Sequence, residues 1–394
     1  MRPSLFAAIA AVLAAGCSAA PGDETTSSTA SAMSIPTQPI NPLIPRTPQP
    51  APIVFQSISG YAGFPLTSGH SNGPTVSSFV RPTHVSSNAS GTTWVVDEDP
   101  NDPNLGYVRV VSDTIGGVNG AHVQTAFDLY DIGFGPWNMG GLVVAANGTD
   151  AFVSDSWGSA IYKISIGQTR TRLAGGYQPY GGYYFTPTAG FTDGPANTAR
   201  FNTPNGLAID AAGNVWVADT GNHAIRKVTP SGDVSTFAVA STSSPSFDPK
   251  WIALAPDGSI WATSHTAIYH VTAGHVSLIA GSPTTSGSAD GPIYAALFGD
   301  PKGIAVDRVG DVYVADSSNH CVRKIVAWSS TVSTIPTLPA FDAFEGQTNT
   351  YGPDDNVLDM PWGLSLWGDR LVVTDANRLT VRTMNPAAPN ATHP

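Results

Sequence analysis

The stretch Thr203-Pro-Asn-Gly-Leu-Ala-Ile-Asp-Ala-Ala-Gly-Asn-Val-Trp-Val-Ala-Asp-Thr-Gly-Asn-His-Ala-Ile-Arg-Lys-Val228 decides the architecture. It holds an apolar run from Leu207 to Asp210, a turn at Ala-Ala-Gly-Asn, and a second run from Val215 to Ala218. A polar loop from Asp219 to His223 leads to a third run, Ala224 to Val228, and a Pro-Ser-Gly turn leads to a fourth, Val234 to Ala238. Short apolar runs between Gly, Pro, Asn and Asp clusters are strand signals. The expectation is a four-stranded antiparallel sheet, which cannot bury both of its faces alone and so requires neighbours of the same kind.

Those neighbours are in the sequence. A second copy runs from Asp300-Pro-Lys-Gly-Ile-Ala-Val-Asp through Val-Tyr-Val-Ala-Asp316 to Arg323-Lys-Ile325. Degenerate copies begin at Pro82, Gly140, Pro249 and Pro361, which makes six. Six four-stranded units of about 45 to 65 residues predict an all-β, six-bladed β-propeller. The sixth copy has only three strands, the last from Leu379 to Met384, before the tail 385–394. Ile53-Val-Phe-Gln-Ser-Ile-Ser-Gly60 resembles the outer strand Val276-Ser-Leu-Ile-Ala-Gly281. The N-terminal strand is therefore expected to complete the last blade and remove its open edge. Linkers repeat too: Gly190-Phe-Thr-Asp-Gly-Pro195 matches Gly287-Ser-Ala-Asp-Gly-Pro292, with diverged versions at Gly69 to Pro74 and Tyr351 to Met360.

The opening Pro-x-Gly-Leu/Ile-Ala-Ile/Val-Asp and the close Val-Ala-Asp-x-x-Asn-His resemble the NHL repeat, and the likeness extends over nearly all of residues 53–384. It implies a six-bladed propeller. It also implies a channel zinc held by histidines as one candidate chemistry, since the peptide-amidating lyases with this repeat use one.

Composition agrees with the repeat. The chain of 394 residues has 40 Gly, 33 Pro and only 12% charged residues, which excludes coiled coils and helical bundles. A formal net charge of −11 opposes the phosphate attraction that nucleic-acid binding needs, so no nucleic-acid partner is expected. With 41% hydrophobic residues the chain has enough apolar surface to fold.

The N-terminus reads as a targeting segment. Met1-Arg2-Pro3-Ser4 precedes an apolar run from Leu5 to Ala15, too short to span a bilayer in the mature protein. Leu13-Ala-Ala-Gly-Cys17 resembles a bacterial lipobox, which implies a signal peptide over 1–16 and lipidation at Cys17. Residues 17–52, rich in Ser, Thr and Pro, read as a disordered tether with polyproline II character. Cys321 then has no partner, so no intramolecular disulfide is expected. The chain is expected to be exported and lipid-anchored to a bacterial membrane, the outer membrane or cell surface, with no transmembrane helix, and to be a monomer.

Three groups of residues are candidates for a site. The loop after the second strand carries Asp97, Asp155, Asp219, Asp316 and Asp375, with Ser264 in the fourth copy. A ring of carboxylates there would hold a cation or a basic group, whereas an Asp at a strand end also fixes its turn by accepting backbone N–H groups. The residues just before the repeat's Gly position, Thr83, Gly140, Asn205, Lys250, Lys302 and Trp362, are expected to line the channel mouth on that face. The linker after the second copy presents Tyr177, Tyr180, Tyr183, Tyr184 and Phe185, a stacking platform or a lid.

Among the histidines, His223 and His320 are repeat positions and read as structural, and His84, His265, His270 and His275 form no spaced ligand set. No motif requires a cofactor, and a divalent cation, Ca or Zn, in the central channel is the one inorganic ligand left open. No nucleophile elbow, phosphate loop or Cys cluster is present. The functional expectation is an envelope-anchored binding scaffold for a protein, peptide or polysaccharide. The alternative is a metal-dependent lyase or hydrolase at the channel mouth.

Overall fold

The computed structural model describes residues 55–62, 79–98, 106–112, 122–128, 139–167, 170–180, 184–187, 189–240, 246–326, 329–335 and 358–386. The leader, Cys17, the tether, the Gly69 to Pro74 linker and the tail beyond 386 lie outside the described residues.

Strand β1 (Phe55–Ala62) comes first. The first blade follows with β2 (Pro82–Ser87), β3 (Thr93–Glu98), β4 (Gly106–Ser112) and β5 (His122–Asp128). The second has β6 (Met139–Val144), β7 (Asp150–Asp155), β8 (Ala160–Ser165) and β9 (Thr171–Gly175). A hairpin, β10 (Tyr177–Tyr180) with β11 (Tyr184–Pro187), leads to the third, β12 (Pro204–Ile209), β13 (Val215–Asp219), β14 (Ala224–Val228) and β15 (Val234–Val239). The fourth has β16 (Trp251–Leu254), β17 (Ile260–Ser264), β18 (Ala267–Thr272) and β19 (His275–Gly281). The fifth adds a short strand from its entry linker, β20 (Gly291–Pro292), to β21 (Pro301–Val306), β22 (Val312–Asp316), β23 (Cys321–Val326) and β24 (Thr331–Thr334). The sixth has β25 (Pro361–Trp367), β26 (Arg370–Asp375) and β27 (Thr380–Pro386), with β1 antiparallel to β27 along its outer edge.

The inner strands form a ring in the order β2, β6, β12, β16, β21, β25 and back to β2. The protein is an all-β, six-bladed propeller, and the first and fourth blades face each other across its axis.

Strand pleat explains how one repeat serves two seams. Successive side chains on a strand point to opposite faces. In β13, Val215 and Val217 pack toward the second blade, while Trp216 and Ala218 pack toward the fourth. Among the described residues, buried side chains form six clusters, one at each seam. The seam between the sixth and first blades unites Val372 and Val381 with Phe79, Val85 and Val95.

Around the axis the inner strands approach backbone to backbone, and this is what the repeat's glycine is for. A Cβ on Gly206 would stand 2.5 Å from the carbonyl oxygen of Lys250 and 2.8 Å from Cα of Trp251. The Gly206 N–H also donates to that carbonyl at 2.7 Å. Gly206→Ala should therefore cost about 1–3 kcal/mol through overpacking, read as a lower urea midpoint. An unchanged midpoint would show that the seam can open without loss.

Candidate functional site

The recurring aspartates are turned inward. Asp219 is fully buried. Its Oδ1 accepts the Asn202 N–H at 2.7 Å, and its Oδ2 accepts Asn222 Nδ2 at 2.8 Å and Arg226 Nη1 at 2.9 Å. Asp316 repeats this with the Gly299 N–H, Asn319 and Arg323. Asp97 accepts the Val80 and Arg81 N–H groups and Arg109, and Asp375 accepts the Asp359 and Met360 N–H groups. Asp155 accepts the Gly158 N–H at 2.6 Å. Burial pushes the carboxyls of Asp219 and Asp316 up, and the Asn and backbone hydrogen bonds pull them back. Side chains so enclosed and so engaged clamp turns and do not open toward a ligand.

Four of these acids have a buried arginine at the matching register position: Arg109, Arg226 and Arg323 donate to theirs, and Arg382 takes the position beside Asp375, whereas the second blade has Tyr162 there. Arg226 spans two acids, since its Nη2 donates at 2.6 Å to Asp193 of the preceding linker. Arg323 does the same with Asp290. The repeated Asp-Gly-Pro linkers are thus tied to the blade they introduce. The guanidiniums of Arg109, Arg226 and Arg323 lie 5.0, 5.3 and 5.1 Å from the rings of Phe79, Phe201 and Phe298. This Asp–Arg–Asp–Phe unit was absent from the sequence reading. Its signal was the shared spacing of Asp219 to Arg226 and Asp316 to Arg323.

In the fourth blade both halves of the clamp change together. Ser264 stands for the Asp and Tyr269 for the Arg. Ser264 Oγ accepts the Asp248 N–H and donates to the Ser246 carbonyl, so the turn is held without charge.

The six mouth positions do not form one even ring. Thr83 is fully buried with its hydroxyl on His84 Nδ1 at 3.1 Å, so it does not reach the opening. Gly140 offers a carbonyl, which takes His84 Nε2 at 3.0 Å. Asn205 is occupied by Thr220 Oγ1 at 2.7 Å. Lys302 reaches Asp300 at 3.0 Å and lies 4.2 Å over the ring of Trp362. Lys250 is exposed. Lys250 and Lys302 are brought together on the walls of one cleft of about 480 Å³ between the fourth and fifth blades, with Ser264, His265, Asp300 and Ser318.

The floor of this cleft is a feature the sequence reading missed. Two blades carry a large ring where the repeat has its glycine: His84 in the first and Trp251 in the fourth. These blades are opposite, and the rings stack across the axis, centroids 4.5 Å apart at 21°. Both rings border an axial cavity of about 250 Å³ lined by the inner strands, and Trp251 also borders the cleft. The signal was a bulky residue at a position that elsewhere demands none.

Burial holds His84 neutral, its pKa lowered to about 4 from the usual 6.5. Between those values the unfolded chain binds a proton that the folded chain refuses, so stability falls as pH drops through that window. The wild type should lose about 3 kcal/mol more than His84→Phe between pH 7 and pH 4. Equal losses in urea titrations of the two would refute this.

Among the described residues, His223, His265, His270 and His320 have local partners. His223 and His320 are in left-handed conformation, with ring Nδ1 atoms on Asp248 and on the Asp359 carbonyl in the next blade. His265 Nε2 lies 2.8 Å from the other oxygen of Asp248. The ring of His270 lies 4.9 Å from that of Trp261, and His275 is exposed. At the axial level of His84 the other blades present Gly141, Gly206, Trp251, Gly303 and Gly363, and both nitrogens of His84 are engaged. These residues do not fit a channel zinc. Among the described residues no group of three His, Cys, Asp or Glu converges on a point. Tyr180 is paired in register with Tyr184 in the β10–β11 hairpin, and Tyr183 lies outside the described residues.

Comparisons with known proteins agree with the geometry. The NHL repeat family model matches residues 201–228 and 298–325, in the third and fifth blades. No curated protein matches the sequence. Among solved structures, the chain is similar to an auxiliary nutrient binding protein from Bacteroides thetaiotaomicron, with 11% identity, 84% of this chain and 76% of that one covered, and a TM-score of 0.60. It is similar to another from Bacteroides ovatus, with 14% identity, 86% and 78% covered, and a TM-score of 0.59. A gluconolactonase from Xanthomonas campestris gives 14% identity, 84% and 98% covered, and a TM-score of 0.50. At these identities the likeness is one of fold.

Proposed function

We propose that the protein is a binding scaffold of the cell envelope that holds its ligand at the channel mouth, in the cleft between the fourth and fifth blades. One observation carries this reading. The fourth blade departs from the repeat at Trp251, Ser264 and His265, and all three line that cleft. Places where a repeat breaks its own local rules without loss of fold are where function is expected. The likeness in fold to two auxiliary nutrient binding proteins supports a binding role. The axial residues do not fit a channel zinc, which weighs against the metal-dependent alternative.

The test is to fill the cleft. Envelope polysaccharides and peptides are titrated against the purified protein, against Ser286→Trp at the cleft, and against Ala211→Trp on an exposed turn of the opposite face. Binding that survives in Ala211→Trp and is lost in Ser286→Trp supports the assignment. Binding that ignores Ser286→Trp overturns it.

Anchoring is the second half of the reading and rests on the leader sequence. Among the described residues no helix is long and apolar enough to cross a membrane. With acyl chains on Cys17 the domain would be held by lipid alone. Cys17→Ala should move the protein from the membrane fraction to the soluble one. Retention of the variant in washed membranes would refute the anchor.

A further inference from the structure

We infer that the ligand of this cleft is a glycan bearing uronate carboxylates, an inference that rests on the binding reading above. The first argument is charge. In most blades the turn beside the mouth ends in a buried Asp whose charge is met by an Arg. In the fourth blade both are gone, and the mouth residue there is Lys250. Among the described residues no carboxylate pairs with Lys250, whereas Lys302 across the cleft is held by Asp300 and Trp362. Lys250 is thus an exposed ammonium on the wall of a concave site, in a chain of net charge −11. A carboxylate is the group it lacks.

The second argument is the wall. The cleft is lined by Thr266, Thr284, Ser286, Ser318 and Trp251, whose indole is stacked on His84 on one face. Hydroxyls beside an indole suit the polar edge and the C–H face of a pyranose ring. A second indole lies on the turn between the second and third strands of a blade further round the ring. Trp157, 63% exposed, sits on the turn of the second blade. Its neighbour Ser156 bonds the Pro204 carbonyl at 2.8 Å, and Gly206 in turn bonds the Lys250 carbonyl. Trp157, Asn205 and Lys250 therefore follow one another around the mouth on adjacent blades. A peptide would be served by a free strand edge or apolar side-chain pockets, and the lining of the cleft supplies neither.

The test uses the purified mature chain with galacturonate and alginate oligomers, fully methyl-esterified galacturonate oligomers, and poly-glutamate. The acidic oligomers should bind, and esterification should weaken binding by about tenfold or more. Lys250→Met should weaken the acidic oligomers to the same extent and leave the ester unchanged, and Trp157→Ala should weaken both. Lys250 and Trp157 are exposed, and unchanged thermal midpoints will show that both variants fold. Failure of the acidic oligomers to bind, equal binding of the ester, or displacement by poly-glutamate would overturn the uronate class. If a neutral glycan or a peptide binds instead and Ser286→Trp blocks it, the cleft stands and only the uronate falls. If Ser286→Trp affects no ligand, both readings fall.

Discussion

Arg226→Met should lose about 3–5 kcal/mol in urea unfolding, because it leaves the carboxylate of Asp219 buried without its cation. Both side chains of this pair are fully buried. Arg226 also holds Asp193, which is half exposed and will return to water at little cost. The informative comparison is with the fourth blade, where the same two positions are Ser264 and Tyr269 and no charge is present. Asp219→Ser alone strands the guanidinium on Asp193, and Arg226→Tyr alone strands the carboxylate. Asp219→Ser with Arg226→Tyr removes both charges and should be more stable than either single variant. Additive losses would mean that the two residues act separately.

The second large effect concerns the ends of the chain. Strand β1 pairs with β27 from Phe55 opposite Pro386 to Ala62 opposite Val381, six residue pairs in all. If this strand closes the ring, a chain beginning at residue 63 lacks the outer edge of its sixth blade. At about 1 kcal/mol net per backbone hydrogen bond, the loss is on the order of 5 kcal/mol. The exposed edge of β27 should also promote association between molecules. A chain beginning at residue 53, which keeps the strand and drops the tether, should keep its thermal midpoint. Equal midpoints for the two truncations would show that β1 contributes nothing to closure.

The all-β, six-bladed architecture was legible because a propeller repeats one local rule. The Leu207 to Asp210 and Val215 to Ala218 runs correspond to β12 and β13, and each end differs by a few residues where inner strands begin at the proline. Register inside a blade follows from short turns, so Pro204 beside Asp219 recurs as Pro82 beside Asp97 and Pro361 beside Asp375. The β10–β11 hairpin and the β20 strand were not legible. Both lie in linkers, where no repeat averages out the noise of local propensity.

The aspartates carried two readings in the sequence, and geometry favours the turn clamp because each carboxylate is enclosed by its own turn. The pairing of His84 with Trp251 could not be read. They are 167 residues apart in sequence, at equivalent positions of blades that only ring closure sets face to face.

What the sequence determined by itself is everything that depends on period and spacing: the number of blades, the strands within them, the turn positions and the face on which the mouth lies. A repeat encodes these locally, in residues a few places apart. What only the tertiary structure decided is what happens between blades. Closing six units into a ring brings Lys250 and Lys302 onto one cleft and sets His84 on Trp251 across the axis, and folding of the linkers buries Arg226 and Arg323 against the linker before their blade. Those contacts depend on the curvature of the ring, which no single copy of the repeat contains.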